Sequence, residues 1–460
     1  MTPVPDAGPA LLDYAGAIAA LESRGRFGIR LGLGRTRALL AALGNPEREF
    51  RGALIAGTNG KGSVLALTGA ALSAAGYRVG ETPKPHLVSY RERLQISGEP
   101  IDEATFAHLT GEVLRVADRV SRRHGDPTEF ELLTAVIFRW FAEAGIDLAV
   151  VEVGLGGRLD ATHAWDGGVA VVTNVSLDHM DRLGNTVTAI AKEKAAIIMR
   201  GDIAVTGATE PALAVVRRRA MRMDVPLTVA PPAPVIAIDR DGIDVELPRL
   251  GRTRVGLRGR HQAANVAVAD ATLDALESAG IATVPVEARR AGYAAVRWPG
   301  RLELIEVAGR EVLLDGAHNP AGATTLAESI DDLVSFLRPG RPTLILAVMA
   351  DKDVDGVLRA LAGSAALAEA RVVCTAPEGG RALPAEALAA RWKAVSGRRA
   401  EAVPEPQRAL DAALKSGEGP LIVAGSLYLV GAARAYLAPD PRLAADPHPT
   451  AAQPASAEPR

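Results

Sequence analysis

The chain has 460 residues, a formal net charge of −2, and a composition that is 48% hydrophobic and 23% charged. That length exceeds one ordinary core and predicts two or three domains, while the near-neutral charge excludes a general pull toward nucleic acid or anionic membrane. The single cysteine, Cys374 in an apolar run, excludes a disulfide framework and a cysteine-rich metal site and predicts a buried thiol.

The opening Met1-Thr2-Pro3-Val4-Pro5-Asp6 has no basic segment followed by an apolar core. No uninterrupted apolar run approaches the roughly 18 residues of a membrane span. The expected compartment is therefore the cytoplasm. Residues 11–21 have helical periodicity, 30–35 form a glycine-punctuated loop, and 36–43 resume a helix.

Leu54-Ile55-Ala56 then reads as a strand running into Gly57-Thr58-Asn59-Gly60-Lys61-Gly62-Ser63, with an apolar helix over 64–72. Strand, glycine-rich turn, helix is the order of a phosphate loop. Glycines let backbone N–H groups face an anion, and the helix N-terminus adds favourable partial charge. Lys61 would reach the outer phosphates of a nucleotide and Ser63 would offer a hydroxyl to Mg²⁺. The spacing departs from the general pattern, since Gly57 and Gly60 lie closer together and Gly62 separates the lysine from the hydroxyl. A plain Gly/Asn turn is the alternative, and the flanking strand and helix weigh against it.

Beyond it, Thr82-Pro83-Lys84-Pro85-His86-Leu87 is a stiff extended loop at the end of a second strand. Residues 101–124 and 132–144 read as helices, and 147–153 as a buried parallel-type strand interrupted by Glu152. A glycine-rich loop covers 154–160. A strand over 169–174 ends near Asp178-His179, a helix covers 188–199, and a strand 203–206 follows. Such alternation means a mostly parallel, doubly wound sheet. Residues 231–260 change to short β-like pieces, either an antiparallel subdomain or a sheet extension, and 262–278 form a helix carrying Asn265. A second α/β unit begins near residue 298, with strands near 312–314, 344–348, 372–375 and 421–424. The Ala- and Pro-rich stretch 439–460 is expected to be a disordered tail.

Candidate chemistry collects at strand ends. Glu152 is a carboxylate in an apolar strand, costly unless paired, and suits a nucleotide's Mg²⁺; an ion pair with an arginine is the alternative. His179, past another strand end, is either a second metal ligand or a hydrogen-bonding loop residue. Helical spacing turns Lys194 toward the core with Ile190 and Ile197, and Lys192 less so. Asp315 and His318, in Asp315-Gly316-Ala317-His318-Asn319-Pro320, would lie on the second sheet's carboxyl edge, with an Asx-type turn as the alternative. Arg301 at the hinge is placed to clamp a phosphate.

Taken together, these stretches resemble the bifunctional dihydrofolate synthase/folylpolyglutamate synthase family of the Mur ligase superfamily. The loop at 57–63 has that family's form, the run 152–162 is highly specific to it, and Glu193-Lys194-Ala195 and the run 315–320 reinforce it. The likeness covers nearly everything but the tail. It implies an α/β fold with an N-terminal P-loop ATPase domain on a mostly parallel sheet (1–297) and a smaller Rossmann-like glutamate-ligase domain (298–438). It implies ATP bound by Gly57, Thr58, Asn59, Gly60, Lys61, Gly62 and Ser63 with Asn265, Arg301 and Asp315. Mg²⁺ would be held by Ser63, Glu152 and His179, with K⁺ a candidate further ion. Lys61, Lys194, Asp315 and His318 would act in catalysis, and Lys194 matches a lysine that the superfamily carbamylates.

The implied reaction joins L-glutamate to dihydropteroate, to the glutamate tail of tetrahydrofolate, or to both, through an acyl phosphate. The implied partners are small molecules alone, with neither nucleic acid nor membrane, and the family's usual form is a monomer. Rival readings are a tetrahydrofolate-only synthase, a cell-wall peptide ligase of the same superfamily, and an inactive nucleotide-binding regulator. Two positions depart from the family pattern. Lys84 stands where a serine commonly binds metal, so it either replaces part of the metal's charge or points toward the substrate carboxylates. His163 stands where asparagine is usual.

Overall fold

The computed structural model describes residues 12–25, 30–377 and 382–446. Eight strands form the first sheet: β1 (Gly52–Ala56), β2 (Val79–Thr82), β3 (Gln95–Ile96), β4 (Glu99–Pro100), β5 (Leu148–Glu152), β6 (Gly168–Val172), β7 (Ile203–Thr206) and β8 (Leu227–Val229). Their spatial order is β4-β3-β2-β5-β1-β6-β7-β8, parallel except at the β2-β3-β4 edge. The central strands are buried on both faces, which is why β1 and β5 read as continuous apolar runs rather than alternating ones. From β1 the chain crosses to β2 on one side, and from β6 it passes to β7 on the other. That reversal opens a crevice beyond the strands' carboxyl ends.

Helix Lys61–Ala74 covers β1 and packs closely on helix Val286–Ala295. A Cβ at Gly292 would stand 2.5 Å from the Ala71 nitrogen, so only glycine permits this approach. The phosphate helix is thereby clamped from behind. Residues expected as an antiparallel piece form β9 (Val235–Asp239), β10 (Gly242–Leu247) and β11 (Gly251–Val255), a separate three-stranded antiparallel sheet.

The last sheet comprises β12 (Glu303–Val307), β13 (Arg310–Asp315), β14 (Thr343–Leu346), β15 (Arg371–Cys374), β16 (Glu401–Ala402) and β17 (Leu421–Ala424). Its order is β12-β13-β17-β14-β15-β16, with only β12 antiparallel. Cys374 is buried here, and burial pushes its thiol up to about 12, as an inert core sulfur should be.

The stretch expected to begin a disordered tail is ordered at first. Residues 439–446 return to the first domain, where the Asp446 carboxylate accepts the Ser89 hydroxyl (2.9 Å), the Tyr90 N–H (2.8 Å) and the Tyr14 hydroxyl (2.5 Å). These bonds, with the Arg442–Glu99 ion pair (3.2 Å), outweigh the Ala/Pro composition there. Residues 447–460 lie outside the described residues. Among those described, no helix is long and apolar enough to cross a membrane.

Glu81 on β2 is buried and accepts a single N–H, from Gly98 at 2.9 Å. Burial, only partly opposed by that bond, raises its carboxyl to about 7. A raised folded-state pKa contributes stability that is complete below the unfolded value and lost as pH rises through 7. The penalty above pH 7 amounts to about 3 kcal/mol. Glu81→Gln, which keeps an acceptor for Gly98, should match wild type in thermal melts at pH 5 and exceed it at pH 8.

Candidate active site

Both parallel sheets present their carboxyl edges to one cavity of about 1010 Å³. From the first sheet come the loop after β1, the end of β5 and the turn after β6. From the second come the turns after β13, β14 and β17, bringing Asp315, His318, Met349, Lys352 and Ser426.

The phosphate loop is built from its neighbours. Thr58 N–H donates to the Asn174 carbonyl (2.9 Å) and Asn59 N–H to the Asn174 side chain (2.9 Å), while the Thr173 hydroxyl donates to the Asn59 carbonyl (2.7 Å). Gly60 has φ 82° and no side chain caps the helix that starts at Lys61, so the first-turn N–H groups form an anion cradle. Asn265 lies against Gly60, where a Cβ would overlap its amide oxygen, and its own nitrogen donates to Gln262 (2.8 Å). Asn265, Arg301 and the loop residues 57–63 all line the cavity.

Glu152 is 3% exposed, with Oε1 3.6 Å from Lys61 Nζ and Oε2 accepting the Lys84 N–H at 2.9 Å. Its partners are lysines rather than an arginine. Lys194, not the exposed Lys192, is buried, and its amine donates to the Gly57 carbonyl at 2.6 Å. Burial and the nearby Lys61 charge lower it to about 7.

His179 has φ 49° and its Nε2 stands 3.9 Å from Asp178 Oδ2; burial, with Lys352, Lys194 and Lys61 nearby, holds the imidazole below its usual pKa despite Asp178. Asp315 accepts the N–H groups of Leu302 (2.9 Å) and Ala317 (2.8 Å), so the Asx-type turn is present. Its carboxylate, raised by burial against the Arg301 charge, fixes the hinge as well as lining the cavity. His318 is lowered to about 4 by burial, so its ring is neutral at neutral pH. Nδ1 faces the Gly316 carbonyl at 2.8 Å, which can only accept; the proton therefore sits on Nδ1 and leaves Nε2 a free base.

Three residues that the sequence pattern does not single out join the two edges. Asp178 Oδ1 accepts Lys352 Nζ at 2.8 Å, and Oδ2 accepts Asn319 Nδ2 at 3.0 Å. Asn319 also donates to Asn59 of the phosphate loop (3.3 Å) while capping helix Pro320–Leu333. Burial opposes ionisation of Asp178, but Lys352, His179 and Asn319 outweigh it and hold the carboxyl well below the usual range.

Residues 55–273 match the Mur ligase middle domain and residues 300–427 the Mur ligase glutamate ligase domain. A dihydrofolate synthase/folylpolyglutamate synthase of Mycobacterium tuberculosis is 37% identical over 89% of this chain and 91% of its own length. The protein of that name from Bacillus subtilis is 36% identical over 76% of this chain and 82% of its own. Among solved structures, Mycobacterium tuberculosis folylpolyglutamate synthase complexed with ADP and AMPPCP superposes with a TM-score of 0.83 at 34% identity, covering 92% of this chain and 100% of that one. E. coli FolC in complex with DHPP and ADP superposes at 0.78 with 28% identity, covering 92% and 98%.

Proposed function

The chain belongs to the dihydrofolate synthase/folylpolyglutamate synthase family of Mur ligases, and from that premise we propose how its own residues carry the reaction. It is an ATP-dependent carboxylate–amine ligase that joins L-glutamate to dihydropteroate, to the glutamate tail of tetrahydrofolate, or to both. The observation that carries the residue assignments is the meeting of two sheet edges around one cavity, with Lys61 on one and His318 on the other.

A carboxylate is a poor acyl donor because oxide would have to leave. Its oxygen attacks the γ-phosphorus of ATP, ADP departs, and an acyl phosphate results. The glutamate amine then attacks the acyl carbon, phosphate departs, and an amide remains. Lys61 and the first-turn N–H groups stabilise charge on the transferring phosphoryl group. Asn265 and Arg301 position the nucleotide at the hinge. His318 Nε2, neutral and unprotonated, accepts the proton that the attacking amine releases. Closure of the two edges by Asp178, Lys352 and Asn319 keeps water from the acyl phosphate.

Among the described residues no three His, Cys, Asp or Glu side chains are grouped to hold a metal by themselves. The donors fit Mg²⁺ that arrives with the nucleotide: Glu152 and Ser63 would hold it, with His179 lining the same cavity, and phosphate and water oxygens would supply its remaining ligands. Such an ion neutralises phosphate charge when bound. Lys194, with an amine near neutrality in its proton affinity, has the free base that carbamylation requires. We assign no role to K⁺. The enzyme is proposed to act as a cytoplasmic monomer on small-molecule substrates.

ATP-dependent incorporation of labelled glutamate, with dihydropteroate and tetrahydrofolate in separate reactions, tests the assignment. Product from both is expected of the bifunctional enzyme, and product from tetrahydrofolate alone leaves a folylpolyglutamate synthase. No product from either, with Mg²⁺ and ATP present, overturns it.

A further inference from the structure

We propose that Lys84 is a substrate-binding residue whose ammonium receives the folate-type carboxylate and steers it to the terminal phosphate. This rests on the ligase reading above. The side chain lines the cavity, its Nζ 2.6 Å from the Glu152 backbone carbonyl and 5.3 Å from the centre of the Phe130 ring. Its backbone N–H holds the Glu152 carboxylate, whose other oxygen is 3.6 Å from Lys61. Lys84 therefore stands at a junction. On one side is the phosphate loop, through Glu152 and Lys61; on another is the Phe130 ring, and Arg93, Glu129 and Leu155 line the same cavity. A carboxylate on an aromatic body packed against Phe130 and bound by Lys84 would lie beside the Glu152–Lys61 pair, next to the phosphate loop.

The charges make the case chemical. A carboxylate and a triphosphate repel each other, and a cation between them removes that barrier to approach. An ammonium has three donors, and one is spent on the Glu152 carbonyl. Hydrogen bonds among the described residues leave the other two for the cavity. Of the neighbouring charges, the Arg93 guanidinium is turned to His86 Nδ1 (2.8 Å), and the Asp160 carboxylate is occupied by Leu155 N–H (2.8 Å) and by Thr162. Lys84 alone of this group contacts both the Phe130 ring and the Glu152 of the Glu152–Lys61 pair. Pro85 restricts its backbone, and the bond to the Glu152 carbonyl holds the ammonium in place.

The test compares binding of dihydropteroate and of its carboxamide by titration calorimetry, with Mg²⁺ and a non-hydrolysable ATP analogue present. Wild type should bind the acid at least about tenfold tighter than the amide, as a charge-assisted contact gives. In Lys84→Met that preference should collapse to within about twofold, and in Lys84→Arg it should persist. Affinity for the nucleotide analogue without folate should be unchanged in both. Lys84→Gln replaces the methionine variant if that variant does not fold. An acid preference retained in the methionine or glutamine variant overturns the inference and leaves the ligase reading intact; so does weakened nucleotide binding with the preference kept, which would mark a role through Glu152 alone. Where wild type binds neither ligand, tetrahydrofolate and its terminal carboxamide take their place in the same comparison; if wild type binds none of the four, the ligase reading fails and takes the inference with it.

Discussion

Lys61→Ala should lower kcat by about 10³-fold while the protein keeps its fold. The lysine is the first residue of helix Lys61–Ala74 and lines the open cavity, so truncation widens that cavity rather than opening a void in the core. Its amine donates to the Thr58 carbonyl at 3.2 Å and faces Glu152 at 3.6 Å. That position sets it at the mouth of the loop's N–H groups, beside the carboxylate. The charge it meets grows as the phosphoryl group transfers, so the loss falls on kcat more than on ATP binding. Lys61→Arg should restore little, because a planar guanidinium does not fit a cradle shaped for one compact ammonium. Single-turnover ADP formation, measured beside ATP affinity, separates the two effects. A large loss of affinity with unchanged turnover would assign Lys61 to ground-state binding.

Asp178→Ala should be the most damaging change that leaves the phosphate loop itself untouched. It strips Lys352, 11% exposed, of its carboxylate partner and frees Asn319 from its bond to that carboxylate. Leaving such a charge buried and unpaired costs about 3–5 kcal/mol. The cost is borne by the closed arrangement, since Asp178 and Lys352 lie 174 residues apart on opposite edges. We expect kcat/KM for glutamate to fall by about 10²-fold or more, with uncoupled ATP hydrolysis rising as water enters. Lys352→Met in the Asp178→Ala background removes the stranded charge and should recover much of the lost stability, a coupling that a double-mutant cycle measures. Additive effects in that cycle would show that the pair does not link the edges.

What can be read from the chain and what cannot follow one physical division. Lys61, Glu152, His179, Asp315 and His318 each lie at or just beyond the end of an apolar strand, so local pattern alone places them on a carboxyl rim. Lys194 is separable from Lys192 because helical periodicity assigns a face, and its burial agrees although the helix is shorter than expected, Val187–Ala195. Lys352, in Asp351-Lys352-Asp353, has the look of a solvated loop charge; only the docking of two sheets makes it a buried partner. Asp178 is overshadowed by the histidine that follows it, although it sits on the same strand-end turn. Strands β3, β4 and β16, at two residues each, are too short to carry a period. The return of residues 439–446 depends on a few contacts far away in sequence, the Asp446 carboxylate with three donors and Arg442 with Glu99, which composition cannot register.

The acyl-phosphate route is tested most directly by running the ligation with substrate whose reacting carboxylate is labelled with oxygen-18. One labelled oxygen should appear in inorganic phosphate for each amide formed, in amounts matching ADP. Label retained in the folate product with unlabelled phosphate, or transferred to AMP, would contradict phosphoryl transfer to the carboxylate and with it the proposed roles of Lys61 and His318.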